Sequence, residues 1–376
     1  MGEACGILPS RDLNGIGAAM NTKPQHTRRN ILKSTLGVAS LAASGIAARA
    51  FAQQARGPGQ GAGAGQRTGP GRPAAADLPG TQVVLLGTRA GPGVDLKRAQ
   101  NSTAIIVDGT PYLVDCGYGT VRNLTAGNIN AQRIEKMVFT HLHNDHTTDV
   151  PALLSLQWTG GRTKPIDLYG PYGTERMVRA IVEYCKLDGE IRTVDEGRTA
   201  KIEELYKGHD VQATSKAIEV FKDERVTVTA IQNTHYPEYS LAQMPHRSIG
   251  VRFDTKTRSV VVSGDTNYSK NLATLASGAD VFVCEIMDQA TRDRWLEQVK
   301  QDPSAAQKAS VARHVAETHS TPEDVGRMAA EAKVKLLVLT HLLTNAGTSS
   351  PVAPLLEGVR KFYSGEVVLG EDLMMI

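Results

Sequence analysis

Between positions 140 and 146 the chain reads Thr140-His141-Leu142-His143-Asn144-Asp145-His146, three imidazoles and a carboxylate directly after an apolar run. Imidazole is largely neutral near pH 7, so its ring nitrogens bind a transition metal at little deprotonation cost. His141 and His143 lie two apart, and on an extended strand end their side chains project to one side and can share one ion. Asp145 and His146 fall where the chain leaves the strand and can turn toward a second ion. Such spacing is that of a dinuclear metal site or half of one; the alternative is a solvated polar loop whose histidines happen to be neighbours. Further ligands are required, and the chain supplies His235, Asp265 and His341. Each follows an apolar, β-rich run: Val226–Ile231, Val260–Val262 and Leu336–Leu339.

These segments, His-x-His-x-Asp-His at 141–146, His235, Gly-Asp-Thr at 264–266 and Leu-Thr-His at 339–341, resemble the metallo-β-lactamase fold hydrolases, in the branch of ribonuclease Z and the related bacterial arylsulfatases. The resemblance runs from about Thr81 to the C-terminus. It implies an α/β chain folded as a four-layer αββα sandwich, with the ligands on loops at one edge holding two zinc ions. By position, His141, His143 and His235 would bind the first metal, Asp145, His146 and His341 the second, and Asp265 would bridge. Histidine and aspartate ligands also accept Mn2+ or Fe. Two cations roughly 3.5–4 Å apart can hold a hydroxide between them and polarise the ester under attack. Asp145 is then both ligand and general base.

A second constellation is Thr318-His319-Ser320-Thr321-Pro322-Glu323-Asp324. Thr321 is suited to be a helix N-cap, with Pro322 in the first turn and acids complementing the helix dipole. In ribonuclease Z-like proteins a His-Ser-Thr stretch here carries a histidine near the metals, which implies that His319 steadies the scissile ester and protonates the leaving group. Glu285 resembles the acid that orients it; a surface histidine and a strand-end acid are the plain alternatives. Asp115 resembles the family's Asp-x-Gly strand end, where the carboxylate supports the metal loops. The run Gly87 to Gly93 lacks a P-loop ending and is expected to be a turn. His209 and His246 are expected in solvated loops, and His314 on a helix surface.

The N-terminus carries an independent signal. Thr27-Arg28-Arg29-Asn30-Ile31-Leu32-Lys33, a mildly apolar stretch from Leu36 to Ala48 and small residues around Ala50-Phe51-Ala52 resemble a twin-arginine export signal over 1–52, with Met20 as an alternative start. The apolar stretch falls short of the roughly twenty residues a membrane span requires. Residues 53–80, rich in Gly, Ala, Pro and Gln, are expected to be a flexible linker, and 81–376 the hydrolase domain. A periplasmic location and the twin-arginine machinery as partner follow as expectations. The sequence sets no oligomeric state; a homodimer is compatible with it.

Of 42 basic and 39 acidic residues, nine and two lie in the first 76, leaving 33 against 37 and a net charge of −4 in the remainder. Nucleic-acid binding normally displays a large basic surface, so nucleic acid is not the expected partner. After His341 the chain reads Leu342-Leu343-Thr344-Asn345, not the Phe-Ser and Arg-Tyr of ribonuclease Z. No glycine- and lysine-rich arm stands out between Leu168 and Val226. The expected substrate is therefore a small anionic ester, an aryl sulfate or phosphodiester. The alternatives are tRNA 3′-end endonuclease activity, then lactonase or β-lactamase activity, and, outside enzymes, a metal-binding scaffold. Cys116, Cys185 and Cys284 are expected to be small core residues.

Strands are expected at Gln82–Leu86, Thr103–Val107, Tyr112–Val114, Lys136–Thr140, Ile166–Tyr169, Val211–Thr214 and Ala217–Phe221, then Val226–Ile231, Ser248–Asp254, Ser259–Ser263, Val281–Glu285 and Lys335–Thr340. Helices are expected at Val150–Leu156, Thr174–Cys185, Leu272–Ala276, Thr291–Val299, Ala305–Thr318 and Pro322–Ala332. Pocket walls are assigned to Trp158–Lys164, Tyr236–Met244 and Leu342–Ser350.

Overall fold

The computed structural model describes residues 78–301, 306–343 and 352–376. The expected leader and most of the expected linker lie outside these residues. The strands are β1 (Thr81–Gly87), β2 (Ser102–Val107), β3 (Thr110–Val114), β4 (Lys136–Val138), β5 (Ile166–Gly170), β6 (Tyr206–Asp210), β7 (Ile218–Lys222), β8 (Val226–Gln232), β9 (Ile249–Thr255), β10 (Ser259–Val262), β11 (Val281–Met287), β12 (Leu336–Leu343) and β13 (Glu366–Leu369). The helices are α1 (Thr120–Ala126), α2 (Asn144–Thr147), α3 (Val150–Thr159), α4 (Thr174–Asp195), α5 (Glu238–Leu241), α6 (Lys270–Leu275), α7 (Gln289–Gln301), α8 (Ala306–Thr318), α9 (Pro322–Ala332) and α10 (Val352–Arg360).

Strands β1 to β6 form one sheet in sequence order, and β13-β12-β11-β10-β9-β8-β7 form the other. Because side chains alternate across a strand, each strand feeds two cores. In β1, Val83 and Leu85 join the core between the sheets, while Val84 and Leu86 join the one that includes Leu153 and Val178 of α3 and α4. In β11, Val281 and Val283 face inward, and Phe282 and Cys284 pack with Val325 and Met328 of α9. Two sheets face to face with helices on both outer sides make the expected αββα sandwich. Cys116, Cys185 and Cys284 are buried and unpaired. No helix among the described residues is long and apolar enough to cross a membrane.

Several element expectations are corrected. Helix α4 continues ten residues past Cys185, carried by the ion pairs Lys186–Glu183 and Arg192–Asp188. The expected strand at Val211–Thr214 is loop, and the sheet instead recruits Tyr206–Asp210 beside β5. Helices α1, α2, α5 and α10 and strand β13 were not anticipated. Strand β4 stops at Val138, so His141 and His143 stand on the loop beyond it.

Candidate metal centre

The seven predicted ligands converge where β4, β8 and β10 end and β12 bends. His143 precedes α2, and that short helix carries Asp145 and His146. His235 follows β8 and Asp265 follows β10. His341 lies inside β12: Thr340 pairs with Glu285 and Leu342 with Ile286, leaving His341 as the extra residue of a β-bulge, with φ of 44°. A bulge re-aims a side chain out of the ladder's alternation, and here it turns an imidazole into the site.

Two ligand groups result. His141, His143 and His235 form one, and Asp145, His146, Asp265 and His341 the other; within each, one donor atom per residue lies within 4.8 Å of the rest. His143 Nδ1 is 3.0 Å from His141 Nε2 and 3.3 Å from His235 Nε2. Asp265 faces both groups, with Oδ2 at 3.7 Å from His141 Nε2 and Oδ1 at 3.2 Å from both His146 Nε2 and His341 Nε2. His146 Nε2 and Asp265 Oδ1 are buried without a hydrogen-bond partner. Burying such groups unpaired is costly. A divalent cation in each group would satisfy these atoms together, so the residues fit a metal pair.

The supporting shell fixes the imidazoles. Asp115 Oδ2 lies 2.8 Å from His146 Nδ1, takes 3.0 and 2.8 Å hydrogen bonds from Asn101 Nδ2 and Thr140 Oγ1, and its Oδ1 accepts the Thr140 amide at 2.8 Å. His235 Nδ1 donates to the Thr318 carbonyl at 3.2 Å, which directs Nε2 to the site. Asp145 Oδ2 accepts the Gly91 amide at 2.7 Å. A Cβ on Gly91 would meet the Asp145 side chain at 2.3–2.4 Å, so only glycine lets this loop approach.

Charges follow from burial. Burial pulls His141, His143 and His235 below their ordinary range, leaving lone pairs available near neutral pH. Burial also acts to lower His146 and His341, but the surrounding carboxylates prevail, holding His146 well above its ordinary value and His341 at about 10. Those protons are what a divalent cation would displace.

His319 lies beside this centre with Nδ1 at 2.8 Å from Glu285 Oε2. Burial opposes its charged form, yet the charge and hydrogen bond of Glu285, with Asp265 nearby, together raise its pKa above the usual histidine value. Glu285 Oε1 accepts the Thr266 amide, and Oε2 is 3.5 Å from His341 Nδ1. His319 lines a cavity of about 260 Å³ together with Asp145, Asp265 and His341.

His314, expected on a helix surface, lines that same cavity, with ring centroids 5.0 Å from His235 and 5.7 Å from His319. Its helical spacing gave no sign of this, because the site reaches it through tertiary packing alone. His209, expected in a loop, sits in β6 stacked on Tyr169 at 4.7 Å and paired with Asp167 at 2.8 Å. Trp158 is not a site wall: it lines a separate cavity of about 620 Å³ at the C-terminal end of α4. Tyr236, Met244 and Leu343 do line cavities at the site, and residues 344–350 of the third expected wall lie outside the described residues.

Residues 110–342 match the β-lactamase superfamily domain. The chain belongs to that superfamily in its metallo-β-lactamase form, and is a metal-dependent hydrolase acting on ester bonds. Among relatives, the ribonuclease Z of Mycobacterium sp. (strain KMS) is 31% identical over 300 residues, covering 78% of this chain and 94% of the relative. Solved structures similar in fold include the short form of human tRNase Z, with TM-score 0.56 and 23% identity over 78% of this chain and 98% of that one. The metallo-β-lactamase fold protein YhfI from Bacillus subtilis matches with TM-score 0.57 and 19% identity over 79% and 98%.

Proposed function

We propose that the protein is a dinuclear zinc phosphodiesterase of the ribonuclease Z type. His141, His143 and His235 would hold one ion and Asp145, His146 and His341 the other, with Asp265 facing both groups. The observation that carries this reading is the convergence of two ligand groups on one carboxylate, with His319, held by Glu285, lining the cavity beside them. When bound, a pair of zinc ions lowers the pKa of water toward neutrality and offsets charge on the phosphoryl group. Asp145 is placed to receive the proton that the attacking water gives up. His319, held by Glu285 through Nδ1, presents its other nitrogen to the cavity and donates a proton to the departing oxygen.

The sequence alone favoured a small anionic ester over nucleic acid, on net charge, the residues that follow His341 and the lack of a glycine- and lysine-rich arm between Leu168 and Val226. The ribonuclease Z relatives, aligned over 78% of the chain, support instead its alternative, a phosphodiester of RNA. A second reading, hydrolysis of an aryl sulfate or other small ester after export, rests on the Arg28-Arg29 segment and the net charge of −4 beyond residue 76. Zinc-loaded protein assayed on precursor tRNA, a diaryl phosphate and an aryl sulfate tests the choice. Turnover of the phosphodiesters, abolished in His143→Ala, is expected; faster turnover of the sulfate would overturn it. A reporter fused behind residues 1–80 should reach the periplasm, and should fail to do so with both arginines replaced by lysine.

A further inference from the structure

His143 borders two clefts. One is the cavity that holds His319; the other, of about 220 Å³, is lined by Leu142, His143, Tyr236, Met244, His246 and Arg247. If His319 protonates the leaving oxygen, the leaving group occupies its cavity. The other substituent on phosphorus, which stays attached, must then extend in a different direction, and the Tyr236 cleft is the second opening at the same histidine. We propose that this cleft is a subsite for the retained organic substituent of a diester, and that it takes a flat aromatic ring. The inference rests on the phosphodiesterase reading above and names the form of its substrate.

The lining suits such a group, being apolar with a few placed polar atoms. The Tyr236 ring stands 5.7 Å from His143 and 4.9 Å from His235, continuing the wall of the metal centre outward. Its hydroxyl makes no hydrogen bond among the described residues, so it is available as a donor to a substrate oxygen. His246 is oriented: Nδ1 lies 3.1 Å from the Tyr172 carbonyl, which can only accept, so Nδ1 carries the proton and Nε2 is the acceptor on the opposite edge. Its ring packs edge-on against Tyr172 at 5.6 Å. A Cβ on Gly173 would sit 3.1 Å from Leu142 and 3.2 Å from His246, so the glycine lets these two walls close together. Arg247 donates to the Met244 and His246 carbonyls at 3.0 and 2.9 Å, which fixes the loop carrying both. Met244 supplies an adaptable apolar contact. A monoester has no second substituent and leaves this cleft unused.

The test holds the leaving group constant. Zinc-loaded full-length protein is assayed on phenyl p-nitrophenyl phosphate and ethyl p-nitrophenyl phosphate, and the ratio of the two kcat/KM values is compared between wild type, His246→Ala and Met244→Ala. Intrinsic reactivity cancels in that comparison. The phenyl preference is expected to fall by about tenfold in each variant, the size of a lost ring contact in a specificity pocket. A merely structural role would lower both substrates together and leave the ratio unchanged. An unchanged ratio with both diesters still turned over overturns the subsite and leaves the phosphodiesterase reading standing. No turnover of either diester by zinc-loaded wild type overturns both.

Discussion

At the residue scale, paired side chains set one another's charges at the site. Glu285 holds the buried His319 in its protonated form to higher pH than an isolated imidazole. A raised pKa in the acid of a reaction places the alkaline limb of the rate profile above the usual histidine range, with activity lost as pH rises through it. In Glu285→Gln that limb should move to lower pH, read from kcat between pH 5 and 10; an unmoved limb would show that Glu285 does not tune His319. His314 behaves in the opposite sense. Burial, and the neighbouring His319 and His143, lower it to about 4, so it is neutral at working pH. The Thr318 hydroxyl donates to the His314 carbonyl at 2.7 Å and so accepts from Nδ1 at 3.3 Å. His314→Phe should lower kcat/KM on a diester by about tenfold with metal content unchanged; loss of metal instead would make it a structural support of His235. The ligands were legible in the sequence because each histidine or aspartate follows a strand-like apolar run. His314 was not, since a histidine on a polar helix face is brought to a site only by how that helix packs.

At the element scale, loops and irregularities position what the strands carry. The bulge that aims His341 and the loop at Gly91 have no periodic signature, so the sequence indicated a ligand at 341 without the means of presenting it, and read Gly87 to Gly93 only as a turn. Gly91→Ala would drive a Cβ into the Asp145 carboxylate. Displacement of Asp145 should lower affinity for the second metal by about 10- to 100-fold while the three-histidine group retains its ion; competition with a chelator distinguishes the two, and equal retention of both would contradict the role given to this loop. Helix α9 was legible from Thr321-Pro322-Glu323-Asp324, and Thr321 and Asp324 do form a reciprocal capping box. The extent of α4 was obscured because its last turns are held by ion pairs and not by an apolar stripe. Strand β6 was missed because Tyr206-Lys207-Gly208-His209-Asp210 is too polar to read as a strand without its neighbour β5.

At the scale of the whole molecule, two sheets of opposite chain halves meet at the site. The first group takes His141 and His143 from the first half and His235 from the second, while the other joins Asp145 and His146 to Asp265 and His341. Ions held there would tie the two sheets together and so favour the folded chain. Removing them should lower Tm, by about 10 °C if the ions stand near a thousandfold above their dissociation constants; a Tm indifferent to chelator would mean that the protein alone holds the halves in place. The sandwich itself was legible from alternating strands and family resemblance. Its last strand, which completes the second sheet, and the helix before it follow a stretch of sequence with little periodicity and were not.

Diffraction from zinc-loaded crystals at the zinc absorption edge tests the central claim most directly. Two anomalous peaks are predicted, one among His141, His143 and His235, the other among Asp145, His146 and His341, with Asp265 in contact with both. A single peak, or none, would contradict the account.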